Sequence, residues 1–94
     1  MIILFGRSNI NFQSAKTFLI DMLDGKDIEV NTDSNNVFEV NMKQKSRVIS
    51  IKLYFNKKLV VDINDSWFSL RIPKTEFKSM DKYKDFIVRS VNQI

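Results

Sequence analysis

The chain has 94 residues, of which 44% are apolar and 28% are charged, a composition typical of one globular domain with a small core. It contains no cysteine and no histidine, which excludes disulfides, thiol nucleophiles, Ser-His-Asp triads and the usual zinc sites. The net charge of +4 is uneven. Residues 1–42 hold three basic and six acidic residues, whereas residues 43–94 hold twelve basic and five acidic ones. This asymmetry indicates an anionic partner for the second half, although surface lysines also serve solubility.

The first predicted elements are a short strand and an amphipathic helix. Residues 1–5 are apolar on both faces of a strand, which predicts a position inside the sheet or a cover on both sides. Residues 8–25 predict a helix that begins near Ser8, Asn9 or Asn11 and ends at Gly25, a residue suited to a left-handed C-terminal position. The apolar stripe of this helix consists of Phe12, Ala15, Phe18, Leu19, Met22 and Leu23.

Five strands with alternating apolar residues follow, at residues 27–32, 37–42, 47–55, 59–63 and 67–72. Short polar turns join them, so we expect antiparallel hairpins with one buried side and one side facing solvent. In the first of these strands, the alternation places Ile28 and Val30 on one face. Pro73 is predicted to end the last strand, because proline cannot donate a hydrogen bond to a neighbouring strand.

The final segment, residues 74–94, predicts a second amphipathic helix that begins near Thr75 or Ser79. Two apolar helix stripes need a surface to cover, and the apolar side of one antiparallel sheet provides it. The sequence therefore predicts a single α+β domain, residues 1–94, with the order β-α-β-β-β-β-β-α. In this two-layer fold both helices cover one face of a sheet of about six strands, which is either open or strongly curved.

The residue types that remain for catalysis are carboxylates, lysines and tyrosines. Asp62 and Asp65 are the closest approach to a paired-carboxylate site, but aspartates beside a turn are far more often structural. A metal site needs more ligands than these two supply. We therefore expect a protein that is not an enzyme, with no cofactor, no metal and no catalytic residues.

The solvent-facing side of the sheet carries the most unusual residues. Alternation in the last three strands places Lys52, Tyr54, Trp67 and Arg71 side by side on this surface, and lysines in the loops surround them. Bases stack on Tyr or Trp while Lys and Arg meet phosphates. The predicted interface consists of Lys43, Lys45, Arg47, Lys52, Tyr54, Lys57, Lys58, Trp67, Arg71 and Lys74.

Three interpretations of this surface stay open. It binds RNA or another single-stranded nucleic acid, as an accessory or regulatory factor of a phage or mobile element would. Alternatively it binds a protein, either in a homodimer or as an inhibitor or antitoxin that blocks a nuclease, toxin or host defence complex, since Trp, Tyr and Arg are enriched in binding hot spots. In the third, Trp67 packs on its own hairpin and Arg71 stacks on it. In each case we expect a cytoplasmic protein without a membrane segment, in a bacterial or phage-infected cell.

Overall fold

A computed structural model describes residues 10–65 and 70–93, with backbone but not side-chain detail for residues 70–73. Within these ranges the fold is a five-stranded antiparallel sheet with two helices, which confirms the predicted α+β class. The elements are α1 (Phe12–Met22), β1 (Asp27–Asp33), β2 (Val37–Gln44), β3 (Arg47–Asn56), β4 (Lys58–Asp65), β5 (Leu70–Phe77) and α2 (Met80–Gln93). Neither helix is long and apolar enough to cross a membrane.

Helix α1 begins and ends at residues with the chemistry that helix termini require. Asn11 is extended (φ −115°), and its side-chain oxygen accepts a hydrogen bond from the Ser14 N–H at 3.0 Å. Gly25, three residues after the helix, has a left-handed backbone with φ +80°. The helix is therefore shorter than the predicted span of residues 8–25, and Asn11 is the described N-cap.

The five strands form a meander in which the order in the sheet is the order in the chain. The β2–β3 hairpin turns at Lys45 (φ 52°) and the β3–β4 hairpin turns at Lys57 (φ 65°). Pairing between β2 and β3 is regular from Val37 opposite Tyr54 to Gln44 opposite Arg47. The predicted strand at residues 1–5 lies outside the described residues, so the described sheet has five strands instead of six.

The predicted end of the last strand at Pro73 is wrong, because β5 continues through this residue to Phe77. Ile63 is opposite Ile72, but Val61 is opposite Thr75, so β5 contains one extra residue at Pro73 and Lys74. An edge strand with such a bulge is where a sheet tolerates proline, since the missing N–H breaks no regular ladder. The missing N–H of Pro73 does disturb the pairing, as predicted, but it produces a bulge and does not end the strand.

The longer β5 moves the start of the second helix to Met80. The Ser79 hydroxyl accepts a hydrogen bond from the Lys82 N–H at 3.4 Å, and the Ser79 carbonyl accepts one from Tyr83. Ser79 thus fills the N-cap position that the sequence offered to Thr75 or Ser79. Thr75 belongs to β5.

Both helices cover the same face of the sheet, and the core lies between the two layers. Tyr83 is fully buried between α1 and α2, and its hydroxyl donates a hydrogen bond to the Ala15 carbonyl at 2.7 Å. The Phe12 ring stacks on Phe55 of β3 with centroids 5.6 Å apart. The other buried apolar residues are Ala15, Leu19, Leu23, Phe38, Val40, Met42, Ile49, Ile51, Leu53, Leu59, Val61, Ile63, Phe77, Ile87 and Val91.

Ile28 and Val30 share one face of β1, as the alternation predicted, and Val30 is opposite the buried Val40. Both therefore lie on the helix side of the sheet. They are covered unequally, since Ile28 is half-buried and 46% of Val30 is exposed. Val30 lies at the β1 edge of the described sheet, beside the bulge between Val30 and Thr32.

The buried hydroxyl of Tyr83 predicts a measurable loss of stability in the Tyr83→Phe variant. The substitution keeps the ring but leaves the Ala15 carbonyl without this donor, which costs about 1–3 kcal/mol of unfolding free energy. Urea unfolding near neutral pH measures the difference. Tyr54→Phe, which alters the half-exposed tyrosine, is the matched control and should unfold at nearly the wild-type midpoint.

The difference in stability between the wild type and Tyr83→Phe should also depend on pH. Burial raises the pKa of the Tyr83 phenol above its ordinary value of 10.0 in the folded protein. The unfolded chain therefore loses this proton first, and the stability from the neutral phenol declines as the pH rises above about 10. The stability advantage of the wild type over Tyr83→Phe should shrink there by up to about 1.4 kcal/mol per pH unit. An advantage that stays constant to pH values well above 10 would contradict the burial of this hydroxyl.

Candidate nucleic-acid interface

Tyr54 lies on the outer face of the sheet, the side opposite the helices, with two lysine ammonium groups close to its ring. The Lys52 Nζ is 5.6 Å from the centroid of the tyrosine ring, and the Lys74 Nζ is 5.7 Å from it. Lys52 is two residues from Tyr54 on β3, so strand geometry places them on one side. Lys74 reaches the ring from the bulge of β5. We call Lys52, Tyr54 and Lys74 the Tyr54 cluster.

Acidic side chains are interleaved with the lysines of this face. The Lys52 Nζ is 3.8 Å from a carboxylate oxygen of Glu39 on β2, and the Lys58 Nζ is 3.3 Å from one of Glu76 on β5. A hydrogen bond with the Tyr54 side chain, and then the Glu39 carboxylate, raise the pKa of the Lys52 ammonium above its usual value. The same two partners, the Tyr54 ring and the Glu39 carboxylate, place the Lys52 ammonium beside the ring.

Lys74 and Lys57 provide the available positive charge at this end of the sheet. Lys74 is exposed, and Lys57 is exposed at the tip of the β3–β4 hairpin, three residues after Tyr54. Neither forms an ion pair within the described part of the chain. Lys58 is also exposed but is shared with Glu76. An anion that approaches Tyr54 thus meets the ammonium groups of Lys57 in the β3–β4 hairpin, Lys58 on β4 and Lys74 on β5.

The other predicted cations of the loops lie at the opposite end of the sheet. Lys43, Lys45 and Arg47 surround the β2–β3 hairpin, and Arg47 is seven residues, about 24 Å, from Tyr54 along β3. Arg47 is mostly buried and paired: its guanidinium is 3.2 Å from a carboxylate oxygen of Asp65 and donates a hydrogen bond to Gln44 Oε1 at 3.0 Å. Arg47 therefore has a structural role, and only Lys43 and Lys45 are open to a partner there.

The remaining predicted residues are Trp67 and Arg71. Trp67 lies outside the described residues. The backbone of Arg71 pairs with Asn64, which in turn is opposite Ser50. Ser50 precedes Tyr54 by four residues, about 13 Å along the strand, so Arg71 belongs to a different row of the sheet than the tyrosine. Lys74 occupies the position beside Tyr54 that the sequence interpretation gave to Arg71.

Glu76 is the residue of this surface that sequence reasoning missed. The expectation that β5 ends at Pro73 assigned Glu76 to the second helix, whereas the register places it opposite Val60, in the row that also contains Tyr54 and Val37. The signal available in the sequence was the alternation of Lys74, Thr75, Glu76 and Phe77, which continues a strand pattern past the proline.

No protein-family model, curated protein sequence or solved structure matches this chain.

The structural role of Arg47 predicts that Arg47→Ala destabilises the protein by about 1–3 kcal/mol, because Asp65 and Gln44 lose a charged partner in a mostly buried position. Chemical unfolding of this variant measures the loss. Lys43→Ala removes an exposed cation from the same hairpin and is the control. Equal midpoints for the two variants would contradict the structural assignment of Arg47.

Proposed function

We propose that the protein binds single-stranded nucleic acid, foremost RNA, on the outer face of its sheet. The observation that carries this proposal is the Tyr54 cluster, in which two ammonium groups from different strands flank one half-exposed aromatic ring at 5.6 and 5.7 Å. A base stacks on the ring, and the lysines pair with the phosphates on either side of it.

The interaction energies favour a base over the Lys74 ammonium as the partner of the Tyr54 ring. An exposed cation–π contact is worth about 0.5–1 kcal/mol, whereas a stacked base is worth about 1–3 kcal/mol. A base that displaces Lys74 from Tyr54 therefore gains more than is lost. The released ammonium of Lys74, which is exposed, is then free to meet a phosphate.

The surrounding charges suit weak and salt-sensitive binding. Lys57, Lys58 and Lys74 would neutralise about three phosphates, while Glu39 and Glu76 limit the attraction. No base-edge recognition is required, because stacking tolerates any base. The outer face of a sheet accepts separated strands, whereas sequence-specific readers of duplex DNA commonly place a helix or ribbon in a groove. We therefore favour single strands over duplexes.

In the cell, the protein that we propose is a non-enzymatic accessory or regulatory factor of a phage or mobile element, and it works in the cytoplasm. The alternative is a stoichiometric inhibitor or antitoxin that covers a nuclease, toxin or host defence complex. Copurification distinguishes them. A partner lost on nuclease treatment supports the first function, and a single protein partner retained after that treatment supports the second.

The decisive measurement is fluorescence anisotropy of a labelled, unstructured RNA of about 12 nucleotides at about 50 and about 200 mM sodium chloride. We expect Tyr54→Ala to weaken binding by about 5- to 160-fold, because one stacked base is lost. Tyr54→Phe keeps the aromatic face and should bind like the wild type. Absence of binding at the lower salt concentration, or equal binding by Tyr54→Ala, would rule out the proposal.

The salt dependence tests the phosphate contacts separately from the stacking. For single strands, each lost phosphate contact lowers the slope of log affinity against log salt by about 0.7. Lys74→Ala and Lys57→Ala should each lower the slope by this amount, whereas Lys43→Ala, at the other end of the sheet, should leave it unchanged. The same slope for all three variants would move the interface away from Tyr54.

A further inference from the structure

A second surface lies at the opposite edge of the sheet, where β1 is the most exposed of the described strands. Six of its seven residues are exposed and Ile28 is half-buried. Within the described residues β1 pairs only with β2. An edge strand directs part of its backbone N–H and C=O groups away from its one neighbour, which leaves them available to another extended chain.

An apolar groove runs beside this edge, between β1 and α1. It has a volume of about 360 Å³, and its apolar lining comes from Ile20 of α1, Ile28 and Val30 of β1, and Phe38 of β2. Val30 is the one large apolar side chain with a high exposure, 46%, among the described residues. The groove therefore offers positions for side chains of a strand that adds to β1, since alternate residues of that strand would face the helix layer.

One end of the groove is fixed by Lys16. Its ammonium donates hydrogen bonds to Asp33 Oδ1 at 2.7 Å and to the Ser34 carbonyl at 3.0 Å, and it lies over the Phe38 ring at 5.8 Å. These contacts join α1 to the end of β1 and the turn after it. They also neutralise Lys16 and Asp33 against each other, so neither contributes a free charge to the groove.

Apart from the Lys16–Asp33 ion pair, most charged residues around the groove are acidic. Asp21, Asp24, Asp27 and Glu29 are exposed, and none of them forms an ion pair within the described residues. Lys26 is the single cation among them in this stretch. This edge repels a polyanion and attracts a basic chain.

We propose that β1 binds an extended segment of a partner protein in which apolar and basic residues alternate. The backbone of the segment adds as a further strand to the edge of β1 that no described strand pairs with. Its apolar side chains enter the groove beside Ile28 and Val30, and its basic side chains lie on the other face, beside Asp27 and Glu29. This surface is separate from the Tyr54 cluster, and its binding does not depend on whether nucleic acid binds there.

A second copy of the chain fits this edge poorly. Two β1 strands paired antiparallel about Val30 would place Asp27 opposite Asp33 and Glu29 opposite Asn31. Such a pair brings six carboxylates to one interface, two of them already engaged with Lys16, and supplies no lysine from either strand. Charge complementarity therefore selects a basic partner over self-association.

An NMR titration of the isotope-labelled protein tests the proposal, with a synthetic peptide as long as β1 that alternates lysine and valine. We expect shifts of backbone amide signals confined to β1 and the groove, and slower hydrogen exchange of β1 amides in the complex. Two control peptides separate the contributions. One has the same composition with lysines and valines in separate blocks, and the other alternates glutamate and valine. Both should bind weakly or not at all.

Two substitutions on one strand locate the peptide. Val30→Lys places a charge in the groove at a position exposed enough to accept it, and should weaken binding of the lysine–valine peptide by about tenfold or more. Thr32→Lys adds the same charge to an exposed residue on the other face of the same strand and controls for net charge. A smaller loss in Thr32→Lys than in Val30→Lys supports the groove. Equal losses overturn it.

A separate double variant tests whether binding requires the acidic residues of β1. It also tests the proposal if Val30→Lys fails to fold. Asp27→Lys combined with Glu29→Lys alters two exposed residues, and should exchange the preference from the lysine–valine to the glutamate–valine peptide. An unchanged preference overturns the proposal, as does equal binding of the block peptide. Analytical ultracentrifugation of the wild type without peptide is the last comparison. A dimer that Val30→Lys converts to a monomer would identify a second copy as the occupant and also overturn it.

Discussion

The fold depends on the burial of one tyrosine between its two helices. Tyr83 of α2 donates a hydrogen bond to the carbonyl of Ala15 in α1, across 68 residues of sequence. Its ring also meets Phe18 of α1 and Phe77 of β5 edge to face, with centroids 6.2 and 6.1 Å apart. A single side chain thus joins both helices to the last strand of the sheet. Because the helix layer covers the apolar face, both surfaces that we propose for partners lie elsewhere, on the outer face and at the β1 edge.

The meander converts an asymmetry along the chain into an asymmetry in space. Strands neighbour each other in chain order, so the acidic first half forms α1 and the β1 side of the sheet, and the basic second half forms β3 to β5. A fold with crossover connections would have mixed the two halves. This separation of charge along the sheet is the reason why we propose two surfaces, one for an anionic partner and one for a basic partner.

The sequence predicted what depends on local periodicity. Helical spacing identified both apolar stripes, strand alternation gave the core residues of β2, β3 and β4, and short turns gave the antiparallel order. The errors arose where tertiary position decides the outcome. Whether a proline ends a strand depends on whether that strand lies at an edge, and how deeply Val30 is buried depends on its place in the edge strand β1. Neither is encoded within a window of a few residues.

Of the candidate site, the sequence predicted only the part that lies within a single strand. The alternation placed Lys52 and Tyr54 together, because they share a strand. It could not foresee that a bulge would bring Lys74 to the ring, that Arg47 would be held by Asp65, or that Lys16 would be buried against Asp33. Those contacts join residues from different elements, and their geometry follows only from the assembled sheet.

The bulge at Pro73 leaves the two edges of the described sheet unequal. At β5 the proline lacks a donor and the extra residue interrupts the regular ladder, whereas β1 carries no proline. Both described edges carry a bulge, but of the two strands β5 alone combines it with a proline. Head-to-tail growth into a fibre needs both edges, so the irregular β5 edge disfavours repeated pairing of β1 with β5 of the next molecule.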